Sequence, residues 1–205
     1  MPEALITDFD GTFADSADAN VDYYQRFFRE ALGMDVEDAY IRRRLHLPVR
    51  GMLDELLLDE SAAYKDELRD QAFVFDYRYD LVKLMPGAAE TVRSLSLVAA
   101  IVSGGEREHI ERILREAKVD DLFETIVGYG EYTQAKPDPE PLRIACQRLE
   151  VAPEAAVYIG DHQVDVDASL AAGVSPVFYA PDGSTRKDAP VIQEWSALPA
   201  VLVPT

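Results

Sequence analysis

Asp8 and Asp10, in Thr7-Asp8-Phe9-Asp10-Gly11-Thr12, directly follow the apolar run Ala4-Leu5-Ile6-Thr7. Residues two apart in an extended segment point the same way, so both carboxylates can face one site. Gly11 then permits a sharp turn, although Asp-Gly is also an ordinary turn dipeptide. A second acidic pair, Asp161 and Asp165, ends the stretch Ile159-Gly160-Asp161-His162-Gln163-Val164-Asp165. Between the pairs come Ser103-Gly104-Gly105 and Lys136-Pro137-Asp138-Pro139. A hydroxyl with backbone N–H groups ahead of a helix can cradle an anion, or merely cap that helix. Two prolines stiffen the loop carrying Lys136, which taken alone could be a surface lysine. Four carboxylates gathered at one place repel one another unless a hard cation sits among them. Oxygen ligands in small number suit magnesium, which keeps waters and accepts substrate oxygens. The chemistry on offer is a cation, an anion cradle and a lysine around one nucleophilic carboxylate.

Such residues meet only if the chain brings distant segments to one edge. Short, almost wholly apolar runs recur at Ala4–Thr7, Leu97–Val102, Thr125–Val127, Ala156–Ile159 and Pro176–Tyr179, as expected of strands buried on both faces. Helical spacing separates the later ones: Ile110, Ile113, Leu114 and Ala117, then Leu142, Cys146 and Leu149, then Asp165 to Ala172 stopped by Gly173. Strand–helix alternation predicts a Rossmann-like α/β fold, a parallel sheet with helices on both faces. In such sheets ligands bind at the carboxyl ends of the strands, where all four candidate stretches fall.

The alternation is broken after the first strand. Val21, Tyr24, Phe28 and Ala31 make one helical stripe, and Tyr64, Leu68, Phe75, Tyr79 and Val82 are expected to make a longer one. The expected organisation is an α/β core from residues 1–16 and 84–205, with an all-helical insertion at 17–83.

Composition excludes several function classes. Lys and Arg number 20 against 38 Asp and Glu, a formal charge of −18, and the pI is near 4.4. That field repels nucleic acid and anionic membranes, so neither is expected as a partner. Acid-rich, lysine-poor surfaces suit a salty cytoplasm as well as ordinary acidity. The single cysteine, Cys146, rules out an intrachain disulfide and a cysteine-based zinc site. No apolar run approaches the roughly 20 residues of a membrane span, and a cytoplasmic monomer or homodimer is expected.

Taken together and in order, these residues resemble the four motifs of the haloacid dehalogenase superfamily, from Ile6 to about Tyr179. Asp8-Phe9-Asp10-Gly11-Thr12 is similar to the first motif, Ser103 to the second, Lys136 to the third, and Gly160-Asp161 with Asp165 to the fourth. Phe13 stands where leucine is usual and His162 where a small polar residue is usual. The helical insertion is placed like that family's small cap domain. The resemblance implies a magnesium-dependent phosphomonoesterase of the phosphoglycolate phosphatase and β-phosphoglucomutase kind, acting on a small phosphorylated metabolite. It implies Asp8 as nucleophile forming an aspartyl-phosphate, and Asp10 as acid and then base. Magnesium would be held by Asp8, the Asp10 carbonyl and Asp161. Ser103, the Gly104 amide and Lys136 would hold the phosphoryl oxygens, with Asp165 orienting Lys136 or a metal-bound water.

Asp10 separates reactions within that family, since dehalogenation at carbon has no alcohol leaving group to protonate. A phosphonate-cleaving relative would need a Schiff-base lysine in the insertion, where only Lys65 and Lys83 occur, both on or just after the long helix. A phosphosugar mutase and a non-enzymatic binding module retaining the fold are the alternatives. Substrate choice is expected of the insertion, where Ala39 to Leu53 carries Arg42, Arg43, Arg44, His46 and Arg50 and no carboxylate. Arg50, beside Pro48 and Gly51 in an expected loop, is the candidate for a second anionic group on the substrate. Equally, these arginines could pair with surrounding acids on a solvated face.

Overall fold

A computed structural model describes residues 2–72 and 76–202. The chain divides into two compact units, residues 1–15 with 83–205, and residues 16–82.

The first unit begins with β1 (Ala4–Thr7), whose four side chains are fully buried, and β2 (Ala14–Asp15). The second unit then holds α1 (Ala17–Leu32), α2 (Asp38–Arg42), α3 (Val49–Leu56) and α4 (Ala62–Ala72). The first unit resumes with β3 (Lys83–Leu84), α5 (Ala88–Ser94), β4 (Val98–Val102), α6 (Arg107–Ala117) and β5 (Thr125–Val127). It closes with α7 (Glu140–Arg148), β6 (Ala156–Gly160), α8 (Gln163–Ala172), β7 (Ser175–Tyr179), β8 (Val191–Ile192) and α9 (Leu198–Val201).

Six strands form a parallel sheet in the order β5-β4-β1-β6-β7-β8. From β1 the chain builds outward through β4 and β5, then crosses back to β6 and builds the other way. The strand order therefore reverses around β1, and the crevice at its carboxyl end is where a doubly wound sheet binds its ligand. One face of the sheet packs Ala4, Ile6, Ala100, Val102 and Tyr158 against Leu142, Ala145 and Cys146 of α7 and Ala168 and Ala172 of α8. Gly173, at φ 82°, ends α8 in the left-handed conformation that glycine adopts without strain. The C-terminal segment is tied to the loop after β1. Fully buried Trp195 donates its indole N–H to the Thr12 carbonyl at 3.0 Å and meets the Phe13 ring edge-on.

The helical unit has its own core of Val21, Tyr24, Phe27, Phe28, Ile41, Met52, Leu53, Leu68 and Ala72. The expected long helix through Tyr79 is not continuous. α4 stops at Ala72, Asp76–Arg78 are non-helical, and Tyr79 lies in a 3-10 turn, Tyr79–Leu81. Phe75 lies outside the described residues. A seven-residue step continues a helix only if hydrogen bonds run through it. Here Tyr77 is held instead by donating to Asn20 Oδ1 at 2.7 Å. Tyr64 stays exposed at 38% rather than joining the core. The two-residue strands β2, β3 and β8, and helix α5, were not foreseen, because two residues carry no periodicity.

Candidate active site

β1 delivers Asp8 straight from its buried run, and the Asp8 N–H bonds across to the Ile159 carbonyl of β6 at 2.8 Å. The chain then coils tightly. The Phe9 carbonyl accepts from the amides of Thr12, Phe13 and Ala14, and Gly11 takes φ 79°. A Cβ on Gly11 would stand 2.4 Å from Asp161 Oδ2, so only glycine lets this loop pass so close to the end of β6. Gly160 plays the same part toward Asp165, whose Cβ and Cγ would lie 2.5 Å from an added Cβ.

The candidate residues of the α/β unit converge. Lys136 Nζ donates to Asp8 Oδ1 at 2.7 Å, to Asp165 Oδ1 at 2.7 Å and to the Tyr158 hydroxyl at 2.9 Å. Asp165 also accepts from the Tyr158 hydroxyl at 3.1 Å and, through Oδ2, from the His162 amide at 3.0 Å. Thr12 Oγ1 donates to Asp161 Oδ1 at 2.9 Å. Ser103, almost fully buried, donates to Asp10 Oδ2 at 3.4 Å and accepts from the Gly105 amide at 3.0 Å. Gly104 is exposed, and nothing lies within 4 Å of where its Cβ would be.

Carboxylate oxygens of Asp8, Asp161 and Asp165 lie within 4.8 Å of one another. Burial pushes the Asp161 carboxyl up to about 6, with the neighbouring Asp165 charge adding to the effect. Burial likewise raises Asp8 well above the usual carboxylate range, opposed by Lys136 and reinforced by Asp165 and Asp161. Burial opposes the charge on Lys136, but Asp165 and Asp8 outweigh it and hold the ammonium well above its ordinary value. Three crowded carboxylates against one ammonium leave an excess of negative charge that a divalent cation would neutralise. The donors are all hard oxygens, which fits magnesium. Both Asp165 oxygens already serve Lys136, Tyr158 and the His162 amide, so Asp8 and Asp161 are the better-placed ligands. Asp10 stands outside the three-carboxylate cluster.

Arg50 does not join this group. It sits on helix α3, not in a loop: Pro48 caps that helix, and Gly51 is inside it. Its guanidinium pairs with Asp54 at 3.2 Å and with Asp66. Arg42 pairs with Asp38 and Asp18, and Arg44 with Glu55. The carboxylate-free stretch finds its acids elsewhere in the helical unit, where a linear reading does not show them.

Tyr158 and His109 were missed. Tyr158 reads as one more residue of an apolar strand, and only its hydroxyl, at the site end of β6, betrays a polar task. His109 on α6 feels the Asp10 carboxylate; burial lowers its pKa and Asp10 pulls the other way.

Residues 5–178 match the model of the family described as haloacid dehalogenase-like hydrolase. Pyrophosphatase PpaX of Listeria monocytogenes is 30% identical over 191 residues, covering 87% of this chain and 85% of that protein. The phosphorylated carbohydrates phosphatase of Thermotoga maritima is 30% identical over 188 residues, covering 86% and 84%. A crystal structure of a haloacid dehalogenase-like hydrolase from Bacteroides fragilis superposes with a TM-score of 0.87 at 27% identity, covering 97% of this chain and all of that one. The extent of the family match and the parallel sheet with its motif residues at one edge lead to one assignment: the chain belongs to the haloacid dehalogenase-like hydrolase family.

Proposed function

We propose that this protein is a magnesium-dependent phosphatase that hydrolyses a small phosphorylated metabolite through an aspartyl-phosphate on Asp8. The observation that carries the reading is the meeting of Asp8, Lys136, Asp161 and Asp165, with Ser103 bound to Asp10, beyond the carboxyl ends of β1, β4 and β6. The relatives from Listeria monocytogenes and Thermotoga maritima, named as a pyrophosphatase and a phosphatase, support it.

In this reading Lys136 holds Asp8 Oδ1 and so aims Oδ2 at phosphorus. Oδ2 forms the new P–O bond as the bond from phosphorus to the substrate oxygen breaks, and Asp10 gives that oxygen its proton. Asp10, now a carboxylate, takes a proton from water, whose oxygen attacks phosphorus. Inorganic phosphate leaves and the Asp8 carboxylate is restored. Ser103 and the open Gly104 amide face the transferring oxygens, and Lys136 offsets charge building on them. The residues that would hold magnesium are Asp8 and Asp161 by carboxylate and Asp10 by its carbonyl. Bound there, the ion would neutralise phosphoryl charge and orient its oxygens. Asp165 orients Lys136. We assign the helical unit the part of a cap that selects the substrate, and we leave Arg50, already shared by two carboxylates, out of substrate recognition.

The test is phosphate release from a panel of phosphorylated sugars, short phosphorylated acids and inorganic diphosphate, the last favoured by the pyrophosphatase relative. Asp8→Asn should cut turnover by at least about a thousandfold while the circular dichroism spectrum is kept. Chelation should stop the wild-type reaction and magnesium restore it. An active Asp8→Asn protein would sink the aspartyl-phosphate mechanism. An isomer accumulating in place of phosphate would make the enzyme a mutase.

A further inference from the structure

Strand β6 needs nothing but an apolar side chain at position 158, yet a tyrosine stands there, 1% exposed and packed among Ile6, Val102 and Leu142. A hydroxyl sunk in such surroundings is costly unless it is bonded. This one is bonded twice within the site. It accepts from Lys136 Nζ at 2.9 Å and donates to Asp165 Oδ1 at 3.1 Å.

An ammonium has three N–H donors and no acceptor. Asp8, Asp165 and Tyr158 take one each. Two of the acceptors are carboxylates, whose positions the charges themselves help to set. The third is a neutral oxygen on a rigid ring in a central strand, and its place is fixed by core packing. Without it, two carboxylates would restrain the Lys136 tip, which arrives from a loop, and one buried N–H would have no acceptor.

We propose that Tyr158 is a positioning residue of the site, its hydroxyl fixing the Lys136 ammonium and the Asp165 carboxylate as one unit with respect to Asp8. The geometric part stands by itself, and its consequence for turnover rests on the phosphatase reading above. Lys136 must lean on Asp8 Oδ1 at a set angle if Oδ2 is to face phosphorus, and β6 supplies that angle. Loss of the hydroxyl lowers kcat more than it raises KM, since Ser103 and the Gly104 amide still receive the phosphoryl group.

Tyr158→Phe removes one oxygen and keeps the ring in the core. The chain has five lysines, Lys65, Lys83, Lys118, Lys136 and Lys187. With nitrogen-15 at the lysine side chains, the fully bonded Lys136 ammonium should exchange slowly enough with water to give a cross-peak, assigned by its absence in Lys136→Met. Buried Lys65, paired with Asp54 in the helical unit, serves as the folding control. In Tyr158→Phe the Lys136 peak should vanish and the Lys65 peak remain. With the best phosphoester, kcat should fall about tenfold and KM stay within about twofold. A Lys136 peak that persists unchanged in Tyr158→Phe overturns the proposal whatever kcat does, as does an unchanged kcat in an active enzyme. The unmodified protein gives a check without any variant, a nuclear Overhauser contact between the Lys136 ammonium and the Tyr158 ring, and its absence also overturns the proposal. If no phosphoester is turned over by the wild type but the Lys136 peak is lost in Tyr158→Phe, the phosphatase reading fails and the positioning role stands.

Discussion

Two glycines carry the tightest contacts of the site. Asp161 is pressed against Gly11 and Asp165 against Gly160, closer than any Cβ could tolerate. At Gly160 the obstacle is not the flexible tip of a side chain but the Cβ and Cγ of Asp165, on the first turn of α8. Gly160→Ala must therefore move Asp165 or the end of β6, and either movement pulls Asp165 from Lys136. Overpacking of this kind costs about 1–3 kcal/mol, which a urea midpoint should register. Turnover of the folded protein should fall as well, because the Lys136 partner is displaced. An alanine variant with native midpoint and native turnover would show that Asp165 is not held against this strand.

Among the elements, α3 and α4 show how a cluster of positive residues can be spoken for. Arg50 reaches Asp54 on its own helix and Asp66 on α4, while Lys65 on α4 reaches back to Asp54 at 3.3 Å. The four residues cross-link the two helices, and Met52 and Leu53 are fully buried on α3. Arg50→Ala removes two of the links, both half-exposed. The expected outcome is a small fall in melting temperature, with turnover of the preferred metabolite and of p-nitrophenyl phosphate both within about twofold of wild type. Selective loss of the metabolite's turnover, with the generic ester spared, would return Arg50 to substrate recognition.

On the scale of the whole molecule, charge is the dominant feature. A net −18 means that most carboxylates in excess of the cations repel one another through solvent. Paired arginines act over about 2.5–3.6 Å. The Debye length shrinks to about 3 Å at 1 M salt, so long-range repulsion is screened before contact pairs are. Melting temperature should therefore rise as sodium chloride goes from about 0.1 to 1 M. A flat or falling curve would mean that the surface pairs, not the excess acid, govern the response.

Much of this molecule was legible along the chain. Strands buried on both faces announce themselves as short apolar runs, so β1, β4, β5, β6 and β7 were foreseen to within a residue or so. Asp8, Asp10, Ser103, Lys136, Asp161 and Asp165 follow those runs directly, and a parallel sheet gathers whatever follows its strands at one edge. Local pattern therefore predicted both the α/β unit and the members of its site. Three matters were decided only by tertiary structure. Arg50 met Asp54 and Asp66 because α3 and α4 pack side by side, which spacing within one helix does not encode. α4 ended where side-chain contacts such as Tyr77 to Asn20 replaced helical hydrogen bonds. Tyr158 acquired its task because β6 lies beside β1 and within reach of the loop carrying Lys136. A hydroxyl among apolar neighbours has no meaning until the fold supplies the partner it bonds.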